Sequence, residues 1–150
     1  MSKYWGTPTW YFFHSFAEHI DDDFYMKNRQ HICNMLKSIC SNLPCEDCTK
    51  HAVLYTRNTL NGNYIKTKQD LQDYFYTFHN SVNVRNRRRK FSNYDMYKTS
   101  KLFPITQNFS RVYGRSGNPI RGFADQMNRN HIINDIKNFF KSNINQFTWL

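Results

Sequence analysis

The sequence predicts an all-α protein: a four-helix bundle with a short fifth helix and an extra C-terminal helical segment. Three observations carry this prediction. Apolar residues recur at the helical period in separate stretches, and helix-start residues stand at the head of these stretches. No segment alternates convincingly with the period of two that a half-buried strand needs.

Taken in order, Thr7-Pro8 reads as an N-cap followed by proline at the first helical position. Trp10, Phe13, Ala17 and Ile20 then recur at helical spacing, giving a first helix to about residue 21. His14 shares a flank of it with Trp10. The acids Asp21, Asp22 and Asp23 cap a second helix with Ile32, Met35, Leu36, Ile39 and Leu43 on its stripe, ending before Pro44. A third helix opens at Pro44 and fades near residue 58, and Asn61-Gly62-Asn63 is a turn. Thr67 and Asp70 form a capping box ahead of Leu71, Tyr74, Phe75, Phe78 and Val82, the clearest helix of all, whose other flank shows His79, Asn80 and Asn83. Ser92 caps the short fifth helix, through Tyr97 to Lys101. Beyond Pro104, the residues Gly114, Gly117, Pro119 and Gly122 mark an irregular crossing. A last helix over 124–141 follows, with Met127, His131, Ile132 and Ile136 as its stripe.

Aromatic residues make up 17% of the 150 residues, with 13 Phe and 10 Tyr, so large flat side chains must fill the interior. A net charge of +10 and a pI near 9.6 point to nucleic acid, an acidic protein or a phosphorylated cofactor as partner. No apolar run approaches the roughly 20 residues of a membrane span. The N-terminus also lacks the pattern of a signal peptide. A cytoplasmic protein is expected.

The chemistry centres on Cys45-Glu46-Asp47-Cys48. With Pro44 in the first turn of a helix, the two thiols share one face, within the Cα separation that a disulfide tolerates. The helix dipole favours a thiolate there, while Glu46 and Asp47 oppose it. As a zinc site the pair needs two more ligands, and Cys33, Cys40, His51 and His79 match no common finger in spacing. A thioredoxin motif needs a βαβ unit, and haem attachment needs His where Thr49 stands. A redox disulfide is the best chemical reading, against an alternative of a non-enzymatic basic helical domain that binds nucleic acid or protein and uses the pair as metal ligands. Cys33 and Cys40, seven residues apart, lie roughly 10 Å apart along a helix, too far to bridge. They are expected to be free, semi-buried thiols, with a bond from Cys33 or Cys40 to another subunit as the minor alternative.

Three ordered motifs add specificity: Trp5-Gly6-Thr7-Pro8-Thr9-Trp10-Tyr11-Phe12-Phe13-His14, then Leu43-Pro44-Cys45-Glu46-Asp47-Cys48, then Phe78-His79-Asn80-Ser81-Val82-Asn83. Together they resemble the Erv/ALR family of FAD-linked sulfhydryl oxidases, in composition most like members encoded by large DNA viruses. The resemblance implies an FAD-binding bundle over residues 1–103 and leaves 104–150 as an extension of unknown role. It implies that Gly6, Thr7, Trp10 and His14 line the cofactor pocket beside Cys48, and that His79, Asn80 and Asn83 hold the adenosine half. Family members follow the last Asn with Gly-Lys-Pro and then Phe. Here Arg88 takes the place of the Lys and Phe91 that of the Phe, and a guanidinium can hold a pyrophosphate in forked geometry. The resemblance further implies that Cys45 receives the substrate thiolate, that Cys48 faces the flavin, and that oxygen becomes hydrogen peroxide. A homodimer is expected, as is a dithiol protein substrate, thioredoxin-like in character since no second relay disulfide exists. Nucleic acid is not the favoured partner, and no metal or membrane role is expected.

Overall fold

The computed structural model describes residues 4–115 and 123–149. Its helices are α1 (Gly6–His19), α2 (Asp22–Cys40), α3 (Glu46–Thr56), α4 (Lys68–Arg85), α5 (Leu102–Arg115) and α6 (Phe123–Ser142), with 3₁₀ turns at Asp95–Tyr97 and Ile144–Gln146. Among the described residues there is no strand, and one isolated bridge joins Ile20 to Phe147. The all-α expectation holds.

Side-chain caps set where α2, α3 and α4 begin. The Asp21 carboxylate accepts the Phe24 N–H at 3.0 Å, and Thr67 with Asp70 closes a reciprocal capping box at α4. Two starts differ from expectation. α1 begins two residues earlier, behind Trp5, because Pro8 is accommodated anywhere in a first turn, where its missing N–H has no partner to lose. α3 begins after Cys45, which is itself the N-cap, so Pro44 stands before the helix instead of inside it.

α1 is the central element and is covered on both flanks. Phe13 stacks on Phe75 of α4 at 4.7 Å, and Phe12 stacks on Phe109 of α5 at 4.5 Å. Trp10, Phe12, Phe13, Phe16 and Ala17 are all buried, so its apolar face is wider than a single stripe. Leu71, Phe75, Phe78 and Val82 are the buried stripe of α4, and Ile32, Leu36 and Ile39 that of α2; Leu43 is buried beyond the end of α2. At the turn, Gly62 is required by close approach: a Cβ there would lie 2.8 Å from the Gln30 backbone nitrogen.

The C-terminal third departs most from expectation. Residues 95–97 form only a 3₁₀ turn, with no side-chain cap from Ser92. The supposed irregular crossing contains α5: Pro104 lies in its first turn and Gly114 in its last. Gly117, Pro119 and Gly122 lie outside the described residues. A division after residue 103 thus falls inside the first turn of α5. Phe109 and Tyr113 join the same hydrophobic core as α1, and the Tyr113 hydroxyl donates to the Ile39 carbonyl at 3.2 Å, satisfying the end of α2. On α6 the buried face is Arg129, Ile133, Ile136, Phe139 and Phe140, whereas Met127 and His131 are exposed. Arg129, 2% exposed, donates Nε–H to the Tyr113 carbonyl at 3.0 Å. The tail returns to the α1–α2 junction: Thr148 N–H bonds His19 O at 2.9 Å, and Asp21 N–H bonds Gln146 O at 2.8 Å.

Candidate functional site

Cys45 and Cys48 are paired in a disulfide with Cα atoms 5.2 Å apart, both half-buried at the entrance of α3. Because Cys45 is the N-cap, its sulfur takes the place of a capping oxygen and accepts the Cys48 N–H at 3.3 Å. Thr49 clasps the approach to the pair. Its hydroxyl is shared between the carbonyls of Cys45 (3.0 Å) and Leu43 (3.2 Å), and accepts the Leu43 N–H at 3.1 Å. Sequence reasoning missed this role, since a threonine one residue past the pair carries no signal of its own.

The predicted cofactor residues gather elsewhere on the bundle, in a cleft of about 220 Å³ between the N-terminal end of α1 and the C-terminal half of α4. From α1 come Gly6, Thr7 and Trp10, and from α4 come His79 and Asn83; Arg88 and Phe91 close it from the following loop. Tyr11, Val82, Arg89, Met96 and Tyr97 also line it and were not singled out from sequence. Cys45 and Cys48 are not part of this lining. Rings link the far end of α3, and not the disulfide, to the cleft wall: Tyr55 stacks on Phe78 at 4.6 Å, and Phe78 meets Trp10 edge-on at 5.1 Å.

One wall of the cleft is a pair of stacked rings, Trp10 on His79, with centroids 4.2 Å apart and planes 7° from parallel. That spacing is van der Waals contact, so a ligand ring can only lie against an outer face of the pair. His14 sits behind this wall, and its Nε2 is 2.8 Å from Nδ1 of His79. One imidazole must donate and the other accept, so at least one is neutral, and burial keeps both so. Burial first and His79 second lower the pKa of His14 to about 2; burial first and Arg88 second lower that of His79 to about 4.

Asn80 lies at the rim, its carboxamide bonded to both backbone groups of Phe91: it accepts the N–H at 2.8 Å and donates to the carbonyl at 3.0 Å. It thereby positions the ring of Phe91, which meets His79 edge-on at 4.9 Å. The turn between Asn83 and Phe91 bends through Arg87, the one non-glycine residue with positive φ (57°) among those described, and the Arg88 N–H bonds the Asn83 carbonyl at 2.7 Å. Arg87 stands where the resemblance places glycine, so the turn survives the substitution at the expense of a left-handed non-glycine residue. Asn83 is 6% exposed in the cleft, and the first turn of α1 adds N–H groups without intrahelical partners. Flat walls, two guanidinium groups and a helix N-terminus together suit a planar ring system carrying phosphate.

Cys33 and Cys40 are free and fully buried, at 0% and 1% exposure, deeper than the semi-buried placement expected. Burial pushes Cys40 up to about 12, and burial also raises Cys33, against a lowering contact with the Tyr25 hydroxyl at 3.4 Å. Among the described residues no three His, Cys, Asp or Glu side chains gather as a metal site.

The chain is similar to a protein of Invertebrate iridescent virus 3, provisionally named an FAD-linked sulfhydryl oxidase, at 32% identity over 83 residues; the match takes in 55% of this chain and 56% of that one. It is also similar to the FAD-linked sulfhydryl oxidase of African swine fever virus, at 30% identity over 96 residues, 63% of this chain and 77% of the relative. The matched stretch thus spans little more than half of the iridovirus relative and about three quarters of the African swine fever virus one. No solved structure matches. The sequence model of the Erv1 / Alr family matches residues 7–103, which carry the paired cysteines and all of the cleft's lining except Gly6. The chain belongs to the Erv1 / Alr family.

Proposed function

We propose that this protein is an FAD-dependent thiol oxidase that converts protein dithiols to disulfides and delivers the electrons to oxygen as hydrogen peroxide. The observation that carries the reading is a half-exposed disulfide at a helix N-cap, in a chain of a family whose viral relatives are named FAD-linked sulfhydryl oxidases. The cleft residues fit one end of that cofactor. Trp10, His79 and Phe91 offer ring faces, and Arg88 and Arg89 with the first turn of α1 suit its pyrophosphate. At about 220 Å³ the cleft matches one ring system and not the whole dinucleotide. FAD, when bound, accepts two electrons from a dithiol and returns them to oxygen.

The chain's own part is thiol exchange. A substrate thiolate attacks the sulfur of Cys45 and the S–S bond breaks, leaving Cys48 as a thiolate. The second substrate thiolate attacks the mixed disulfide, the substrate disulfide forms, and Cys45 leaves with the electron pair. Unpaired N–H groups of the first turn of α3 stabilise the thiolates formed there. With Cys33 and Cys40 buried, this pair alone receives electrons from outside, which supports direct entry from a dithiol protein, a thioredoxin-like one included. We place the activity in a homodimer in the cytoplasm; no helix among the described residues is long and apolar enough to cross a membrane.

The test is direct. Purified protein should be yellow, absorb near about 450 nm and consume oxygen in the presence of dithiothreitol. Protein that binds no flavin after reconstitution, and shows no oxygen uptake, would sink the reading.

A further inference from the structure

Away from both the cleft and the disulfide lies a groove of about 830 Å³ between α5 and α6, outside the family-matched stretch except for Phe103 at its edge. Its floor holds two hydroxyls without hydrogen-bond partners. Thr106 and Ser110, one turn apart on α5, are 8% and 9% exposed, and the Oγ atom of each is buried and unsatisfied. A buried hydroxyl left unpaired costs about 1–3 kcal/mol, so these are groups that an incoming polar ligand would relieve.

The groove is graded along its length. At the end formed by the last turn of α5, Arg111 and Arg115 line it with Asn130 and Asn134 opposite. At the other end the walls are Phe103, Phe140, Ile144 and Trp149, of which Phe103 and Ile144 are each 52% exposed. Lys137 and Lys141 run along the α6 side, and among the described residues no carboxylate lines it. Such a surface repels a second copy of a chain of net charge +10. Hydroxyls spaced along the floor also favour a ligand with polar groups along its length over a simple hydrocarbon tail.

We propose that the α5–α6 groove docks an acidic polypeptide segment bearing large apolar side chains, its acids against Arg111, Arg115, Lys137 and Lys141 and its apolar groups against Phe140 and Trp149. Thr106 and Ser110 then donate to side-chain oxygens of the segment. Residues 103–115 set a footprint of about 18 Å, the length of about 12 helical residues.

The experiment is fluorescence anisotropy on the full chain as purified, with a rhodamine-labelled peptide of about 12 residues in which Glu alternates with Leu and Phe in helical register. Saturable binding is expected, at least about tenfold weaker for Lys137→Glu/Lys141→Glu and about fivefold weaker for Thr106→Val/Ser110→Ala, with thiol oxidation unchanged in both. Peptides with every Glu replaced by Lys, or every Leu and Phe by Ser, should not bind. A wild-type readout guards against misfolded variants: binding should move the Trp149 indole N–H resonance. Equal binding of the Ser-substituted peptide, equal binding by the Lys variants, no shift at Trp149, or a homodimer that buries the groove would each overturn the proposal.

Discussion

Cys45 and Cys48 lie three residues apart at the entrance of α3, half-buried and bonded to each other, whereas Cys33 and Cys40 lie seven apart along α2 as free thiols inside the core. The residue type is the same and the environments are opposite. At the helix entrance, unpaired N–H groups and partial exposure make a sulfur easy to reach and its thiolate easy to hold. Within α2, burial pushes the thiols up, to about 12 for Cys40, and leaves neither sulfur open to an attacking partner. Placement on the helix, more than the presence of cysteine, decides which sulfur can do redox work.

The sharpest way to break this contrast is to remove sulfurs one pair at a time. Cys45→Ser and Cys48→Ser should each lower oxygen consumption with dithiothreitol by at least about a thousandfold, because no other accessible sulfur can carry the exchange. Cys33→Ser/Cys40→Ser should keep turnover per folded molecule. That double variant should instead lose about 1–3 kcal/mol of stability, chiefly from the hydroxyl buried at position 40, since the one at position 33 keeps the Tyr25 hydroxyl within reach, read in chemical denaturation. Loss of turnover in the folded double variant would mean that α2 relays electrons after all.

Buried titration in the cleft gives the next effect. His14 and His79 bind protons less readily folded than unfolded, so their contribution is complete above the ordinary imidazole value of 6.5 and is lost as pH falls toward about 4. In that window the unfolded chain takes up protons that the folded one refuses, and stability should drop by up to about 1.4 kcal/mol per pH unit for each imidazole. His79→Gln should flatten the slope in a series of melts from pH 7 to about pH 4. The smallest effects test the two turns. Thr49→Val should cost about 1 kcal/mol by leaving the Leu43 and Cys45 carbonyls short of a donor. Arg87→Gly should gain up to about 1 kcal/mol by relieving a left-handed residue.

Much of the helical order was legible because its signals are local. The Thr67–Asp70 box and the Asp21 cap act within three residues, and both were found where the sequence places them. α5 was missed because its local signals point the other way: Pro104 near the start, Gly114 near the end, and Thr106 and Ser110 between them are poor helix formers. Burial of Phe109 and Tyr113 against α1 and α2 overrides that propensity. α6 was recognised but rotated, since Ile132 and His131 compete with Ile133 and Phe140 for the inward face, and only contact with α5 chooses. In the cleft, residues from the three motifs were legible, while Tyr11, Met96 and Tyr97 were not, because a lone aromatic or methionine reads as core.

By itself, the sequence determined where α2 and α4 begin and which cysteines pair, since caps, periodicity and an i,i+3 disulfide involve residues already within reach of one another. Only the tertiary structure decided that Cys45 is the cap of α3 and that α5 is a helix. It alone brought His14 to a hydrogen bond with a residue 65 positions away, and joined the start of α1, the end of α4 and the 95–97 turn into one cleft. Those outcomes depend on which faces bury against which, and that choice is made by the packing of the whole core.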